Sequence, residues 1–321
     1  MKILFVADPL LSFKTYKDST YAMMLEAFGR QHEIWACEQH SMSIIGSRAQ
    51  AGCQQLTLIN AANADESSWH GEWFEATPLA LRELASFDAV VMRKDPPFDT
   101  EYLYSTFVLE QAERNGVKVF NRAAALRDHN EKVAITEFPQ YTAPTIVTRD
   151  ALVLRSFITE HGEAVLKLLD GMGGASIFKV KPNDPNLSVI IETMNQFGAR
   201  SVMAQRYLPQ IKDGDKRVLI IGGKVVPFAL ARIPKEGESR GNLAAGGTGR
   251  AQPISERDRE IAQGLAPILF ARGLMLVGLD VIGDCLTEIN VTSPTCFREI
   301  AQQTGFNVAG MFIDAIEVAC L

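Results

Sequence analysis

Hydrophobic positions in the first third of the chain alternate between two periods. Short apolar runs at Lys2–Ala7, Glu33–Cys37, around Gln55–Ile59, Phe87–Met92 and Val117–Phe120 have the length and the Val, Ile and Phe content of strands. Helical spacing fills the gaps between them. Tyr21, Met24, Leu25 and Phe28 fall on one face of a helix predicted over Ser19–Arg30, with Asp18 or Ser19 as its N-cap. Thr100 is the expected cap of a further helix, which Asn115-Gly116 stops. Such alternation predicts a mostly parallel sheet with helices packed on both faces.

The pattern changes after about Asn121. Short helices are expected around Arg122–Phe138, followed by mixed strands and helices. The segment VLKLLDGMGGASIFKV (Val165–Val180) reads as strand, glycine-rich turn, strand, and Met203–Tyr207 as another strand. A long helix near Glu256–Arg272 ends at Gly273, and a strand at Leu274–Ile282 opens a hairpin. Arg232–Arg250 carries five glycines and no periodicity. A structureless loop of that length within a compact domain is expected to be disordered or an active-site lid, and its arginines favour a lid over anionic ligands. There is no internal repeat.

A chain of 321 residues is long enough for two or three domains, each with its own core. A net charge of −6 with scattered basic residues argues against a nucleic-acid partner. The five cysteines form no C-x-x-C pair, which fits reduced thiols in a cytoplasmic protein. The opening MKILFVADPL is too short for a signal peptide, and no apolar run reaches the roughly 18 residues that span a membrane. A soluble cytoplasmic protein is the expectation.

Candidate chemistry concentrates near the C-terminus. Asp280, Glu288 and Asn290 are hard oxygen ligands without a nearby His or Cys, a set that suits Mg²⁺ shared with phosphates. Glu288 and Asn290 share a strand face. Asp280 joins them only if the turn has three residues (Gly283, Asp284, Cys285), because a two-residue turn would send it to the other side. The three-residue register is therefore expected, with Asp280 opposite Glu288 and Gly278 opposite Asn290 leaving room for ions and phosphates. A solvated acidic hairpin is the plainer reading, but Asn290 stands between Ile289 and Val291.

The turn Gly171-Met172-Gly173-Gly174 lacks both the Walker lysine and the third glycine of G-x-G-x-x-G. It joins strand to strand, so phosphate would be met by backbone N–H groups alone. An ordinary tight hairpin is the alternative. Lys167, on the entering strand, could be the solvent side of an edge strand, but beside this turn it reads as a phosphate contact. Metal set, turn and lysine together indicate ATP. The dispersed histidines make zinc improbable, and Cys296 has no evident base to make it a nucleophile.

In order, these motifs resemble the ATP-grasp ligases, and within them bacterial-type glutathione synthetase. The resemblance runs through MRKDPPFDTEYLYSTFVLE (Met92–Glu110), LRDHNEK (Leu126–Lys132), LDGMGGASIF (Leu169–Phe178), IKDGDKRVL (Ile211–Leu219), RGNLAAGG (Arg240–Gly247) and GLDVIGDCLTEINVTSPT (Gly278–Thr295). It implies a Rossmann-like (pre-ATP-grasp) domain at residues 1–121, then a two-lobed ATP-grasp fold. The small lobe would be 122–202, and the C-terminal lobe 203–321 would carry the metal site and a mobile loop 232–250. It further implies ligation of γ-glutamylcysteine and glycine with ATP, two Mg²⁺ (or Mn²⁺), and a homotetramer.

Residue by residue, Lys132, Lys167 and the turn Gly171, Met172, Gly173 and Gly174 would meet nucleotide phosphates. Gln205, Tyr207 and Leu208 would read adenine, with Asp215 near the ribose. Asp280, Glu288 and Asn290 would hold metal. Lys17, Asp18, Ser19, Arg93, Asp95 and Pro96 would hold the dipeptide. Arg217, Arg232 and Arg240 would face the reacting carboxylate, and Ser293, Pro294 and Thr295 would lie near glycine. Leu168 and Arg206 depart from the proline and asparagine usual in this subfamily. A D-alanine–D-alanine or peptide-tailing ligase would share the nucleotide residues but not RKDPPFDTE. A non-catalytic ATP-binding regulator would have no need to keep Asp280, Glu288, Asn290 and Arg217.

Overall fold

The computed structural model describes residues 1–59, 72–174, 176–235, 241 and 246–321. Its first sheet begins with β1 (Lys2–Ala7), α1 (Ser19–Gly29) and β2 (Glu33–Glu38). β3 (Ser43–Ile45), β4 (Arg48–Leu58), β5 (Phe74–Ala76) and β6 (Ala80–Glu83) follow, then β7 (Ala89–Met92), α2 (Thr100–Arg114) and β8 (Lys118–Phe120). β2, β1, β7 and β8 are parallel neighbours in that order. The expected parallel sheet is thus only half of what forms. β4 is longer than its apolar run and pairs antiparallel with β2, β3, β5 and β6. The polar alternation of RAQAGCQQLTL suits a half-buried antiparallel strand, and only its last residues looked apolar enough to be read as one.

Both faces of β1 are buried. Ile3 and Phe5 pack with Met23 and Met24 of α1, while Leu4 and Val6 pack with Tyr102 and Leu109 of α2. The Asp18 carboxylate caps α1 by accepting the Tyr21 N–H at 2.7 Å. The cap of α2 is Asp99, which accepts from Tyr102 N–H at 2.8 Å, and Thr100 is the first helical residue. A carboxylate one residue earlier displaces the weaker hydroxyl cap.

α3 (Ala123–Asp128) leads to β9 (Thr145–Thr148), α4 (Ala151–His161), β10 (Ala164–Leu168), β11 (Phe178–Val180), α5 (Leu187–Asn195) and β12 (Val202–Arg206). The four strands form an antiparallel sheet in the order β11-β10-β12-β9. Beneath it lies a separate core that includes Leu154, Ile158, Leu166, Ile191 and Val202.

The third sheet runs β15-β14-β13-β16-β17. Its strands are β13 (Asp215–Ile221), β14 (Lys224–Ile233), β15 (Thr248–Pro253), β16 (Leu276–Ile282) and β17 (Cys285–Asn290), with α6 (Glu256–Ala271) between β15 and β16. α7 (Phe297–Thr304) and α8 (Val308–Cys320) close the chain. Period-two alternation divides β13: Val218 and Ile220 pack with Ile261 and Leu265 of α6, and Leu219 and Ile221 with Phe312 and Ile313 of α8. The remaining odd positions, Asp215 and Arg217, lie on the α8 face beyond that core. Arg232 and Arg250 belong to β14 and β15, in register with Gly249 and Ala231, so the irregular part of the expected loop is shorter than Arg232–Arg250. No helix among the described residues is long and apolar enough to cross a membrane.

Candidate active site

The hairpin β16–β17 reaches the expected pairing by an unexpected route. Ile282 stands opposite Cys285, so the turn is the two-residue Gly283-Asp284, with Gly283 at φ +57°. Val281 pairs with Leu286, but Asp280 pairs with Glu288 and Gly278 with Asn290. A bulge at Thr287 supplies the extra residue that the three-residue turn was expected to supply. Its hydroxyl donates to the Asp280 carbonyl at 3.1 Å. The space over Gly278 is filled by Arg217 and Pro294, since a Cβ there would stand 2.9 Å from Arg217 Cδ and 3.0 Å from Pro294 Cβ. The glycine therefore makes room for an arginine, not for ions.

Strand register also places the charges. Arg217 is directly opposite Asp280, and Asp215 opposite Arg232. Arg217 Nε donates to Asp280 Oδ1 at 2.5 Å and its Nη2 to Oδ2 at 3.2 Å. Arg232 Nη2 lies 2.8 Å from Asp280 Oδ2 and 2.5 Å from Asp215 Oδ2. Burial pushes the Asp280 carboxyl up, but Arg217 and Arg232 outweigh it and hold the group well below the carboxylate range. Asp215 has less compensation: burial, reinforced by Asp280, raises it to about 6 despite Arg232. Burial disfavours the charged form of Arg232 too, yet Asp215 and Asp280 more than restore it.

Lys167 is not on an edge, because β10 lies between β11 and β12, and its side chain is 9% exposed. Its ammonium is 3.7 Å from Glu288 Oε1, and that of Lys132 is 3.6 Å from the same oxygen. Lys132 also donates to the Gly171 carbonyl at 2.6 Å, tying it to the glycine turn. Gln205 is buried and gives its amide to Thr145 at 3.1 Å while its oxygen faces Lys167 at 3.4 Å. Tyr207 lies beneath the Lys179 ammonium, 3.6 Å from the ring centroid.

At the other end, Arg93 is buried, with Nε on Thr20 Oγ1 at 3.0 Å and Nη2 on the Pro294 carbonyl at 3.1 Å. Its Nη1 has no partner among the described residues. Ser293 donates to Asp95 Oδ1 at 2.5 Å, and Phe297 N–H to Ser19 at 3.2 Å. Burial raises the Asp18 carboxyl to about 6, against the pull of the Tyr21 N–H and Arg93. These contacts join the N-terminal sheet to the segment after β17.

The residues assigned above to nucleotide, metal, dipeptide, glycine and the reacting carboxylate line one cavity of about 490 Å³, apart from Arg240, which lies outside the described residues. The cavity wall also contains residues that the sequence reading passed over. Val165, Ile177 and Ile282 add apolar surface, and Glu131, Thr292 and Glu299 add polar groups. Cys296 is buried there, and burial pushes its thiol up to about 11, as expected of a poor nucleophile. The donor set fits magnesium. Asp280, Glu288 and Asn290 share the cavity face and offer oxygen, and among the described residues the two carboxylates meet Arg217, Arg232, Lys132 and Lys167. Asn290 gives its amide N–H to the Gly278 carbonyl at 3.2 Å, which leaves its oxygen as the donor for a cation.

Residues 1–127 match the family model of the prokaryotic glutathione synthetase N-terminal domain, and residues 131–305 that of its ATP-grasp domain. The chain belongs to the prokaryotic glutathione synthetase family. It is an ATP-dependent ligase with the ATP-grasp fold. The glutathione synthetase of Ralstonia nicotianae is 59% identical over 99% of this chain and 96% of its own. That of Nitrosomonas europaea is 55% identical over 99% and 98%. Among solved structures, D-cycloserine synthetase DcsG superposes with a TM-score of 0.67 at 15% identity, covering 99% of this chain and all of its own. The ATP-grasp ligase PsnB, complexed with a minimal precursor, Mg and ADP, does so with a TM-score of 0.61 at 17% identity over 99% and 97%. These two share the fold.

Proposed function

We propose that this chain joins γ-glutamylcysteine to glycine using ATP, forming glutathione, ADP and phosphate through an acyl phosphate on the dipeptide. The observation that carries the reading is the cavity itself. Its wall, from Lys17 to Thr295, combines paired lysines, a glycine turn and a buried arginine, Arg93, whose Nη1 has no partner among the described residues. Lys132, Lys167 and the Gly171–Gly174 turn take the phosphates. The edge from Gln205 to Leu208, with Val165 and Ile177, takes adenine, and Asp215 stands between the ribose and Arg232. Lys17, Asp18, Ser19, Arg93, Asp95 and Pro96 hold the dipeptide, and Ser293, Pro294 and Thr295 border the glycine.

A carboxylate is a poor electrophile, so its oxygen must first become a leaving group. Phosphoryl transfer from ATP breaks the γ-phosphorus–oxygen bond and forms the acyl phosphate. The glycine amine then attacks the acyl carbon and expels phosphate. Arg217 and Arg232 face the carboxylate and the transferring group, where fixed positive charge stabilises the transition state. Asp280, Glu288 and Asn290 would hold Mg²⁺, two ions or Mn²⁺ in its place by the family resemblance, and the metal would supply positive charge to the nucleotide phosphates. By the family resemblance Arg240, which lies outside the described residues, would also face the reacting carboxylate.

Domain roles follow: residues 1–121 bind dipeptide, 122–202 cover the nucleotide, and 203–321 carry the metal. The three sheets support that division. The resemblance further supports a cytoplasmic homotetramer, which light scattering tests. ADP release should require both γ-glutamylcysteine and glycine when each is omitted in turn, with the tripeptide seen by mass spectrometry. Release with another acid or amine would keep the ligase chemistry and move the specificity. Bound ATP with no release under any acceptor would leave a regulatory protein.

A further inference from the structure

Glu131 joins parts of the site that lie far apart in sequence. Its Oε1 accepts from the Val291 N–H at 2.9 Å, the Thr292 N–H at 3.1 Å and the Thr292 hydroxyl at 2.8 Å. Its carbonyl accepts from the Ile289 N–H at 2.9 Å. All four donors belong to the stretch that carries Asn290 and runs on into Ser293. β17 is the outer strand of its sheet, so this side of it lacks a continuous ladder, and Glu131 supplies partners in place of one. The neighbours of Glu131 hold the other half of the site. Lys132 reaches Gly171 at 2.6 Å, and the Asn130 amide donates to the Leu169 carbonyl at 3.1 Å.

We infer that Glu131 is a positioning residue: it fixes Asn290 and the Ser293–Thr295 segment relative to Lys132 and the glycine turn. A carboxylate with three donors on one oxygen forms charge-assisted bonds, stronger than those of a neutral acceptor. The bonds stop the end of β17 from shifting along the strand or away from the cavity. Groups that orient ligands in this way typically change metal affinity or activity by about 10–100-fold when removed. The inference rests on the assignment of Asp280, Glu288 and Asn290 to the metal.

Two substitutions test it. Glu131→Gln keeps the size and one acceptor but removes the charge, and Thr292→Val removes one donor of the three. ADP binding is measured by calorimetry with and without Mg²⁺, alongside tripeptide formation. The expected result for Glu131→Gln is a rise of about tenfold in the Mg²⁺ concentration required for tight ADP binding and for turnover. ADP affinity without Mg²⁺ stays within about twofold, and Thr292→Val shifts the Mg²⁺ requirement the same way by less. A lowered melting temperature with an unchanged Mg²⁺ requirement would overturn the inference and leave Glu131 merely structural. Equal loss of ADP affinity with and without Mg²⁺ would overturn it too. Should Glu131→Gln fail to fold, Thr292→Val decides alone, an unchanged Mg²⁺ requirement being negative. Wild-type protein that binds ADP with Mg²⁺ but makes no tripeptide would sink the substrate assignment, while the binding data still decide the role of Glu131.

Discussion

Single residues in this site owe their properties to neighbours more than to their own chemistry. Asp280 is buried beside two guanidinium groups, and removing one leaves a poorly compensated charge. Arg217→Ala should lower kcat by about 10²–10³-fold and cost about 3 kcal/mol in urea unfolding. Activity near wild type would show that Arg217 serves structure alone. Asp18 has the opposite balance. Its folded value of about 6 lies above the ordinary 3.8, so the native state binds the proton more tightly. Its contribution is therefore greatest below the unfolded value and is lost as pH rises towards the folded one. Asn caps a helix as well as Asp does, so Asp18→Asn should fold. From about pH 4 to about pH 7, wild type should lose melting temperature relative to this variant, and parallel curves would count against the raised value. The types and positions of Lys132, Lys167 and Asp280 were legible in the sequence. Their partners were not, because Arg217 meets Asp280 only across strands from distant segments.

At the level of elements, the β16–β17 hairpin shows how a correct pairing can rest on a different local structure. Turn length and bulge are equivalent ways to add one residue to a strand pair, and both put Asp280 opposite Glu288. The pattern of apolar and polar residues specifies which side chains share a face, but not where the extra residue sits. Deleting Thr287 should remove the bulge, leave a regular two-residue hairpin with Asp280 still opposite Glu288, and preserve Mg²⁺-dependent ADP binding. Loss of that binding in a deletion variant that folds would show that the Thr287 hydroxyl bond to the Asp280 carbonyl is itself required. The same limit explains β4, whose mates β3, β5 and β6 are short, exposed segments with little apolar pattern of their own.

For the molecule as a whole, the distribution of core predicts which part moves. The N-terminal and C-terminal sheets share buried clusters, as where Phe5 and Ile34 belong with Leu219 and Phe312. The β9–β12 lobe has a core of its own. A body with few shared buried contacts opens at lower free energy than one built into a common core. Hydrogen exchange should therefore slow on adding ADP and Mg²⁺ most in residues 164–180 and 202–206, and least in β13 and β16. Uniform protection across all three sheets would rule out a separately moving lobe. By itself the sequence determined the strand–helix alternation of the first third, the pairing of Asp280 with Glu288, and the resemblance of its motifs to one family. The first two follow from periodicity and residue chemistry, which are local, and the last from contiguous motifs. Only the tertiary structure decided the antiparallel half of the first sheet, the bulge, the arginine pairing of Asp280 and Asp215, and the Glu131 brace. Each depends on register between segments far apart in the chain, and register is set by how all the segments pack together, not by any one of them.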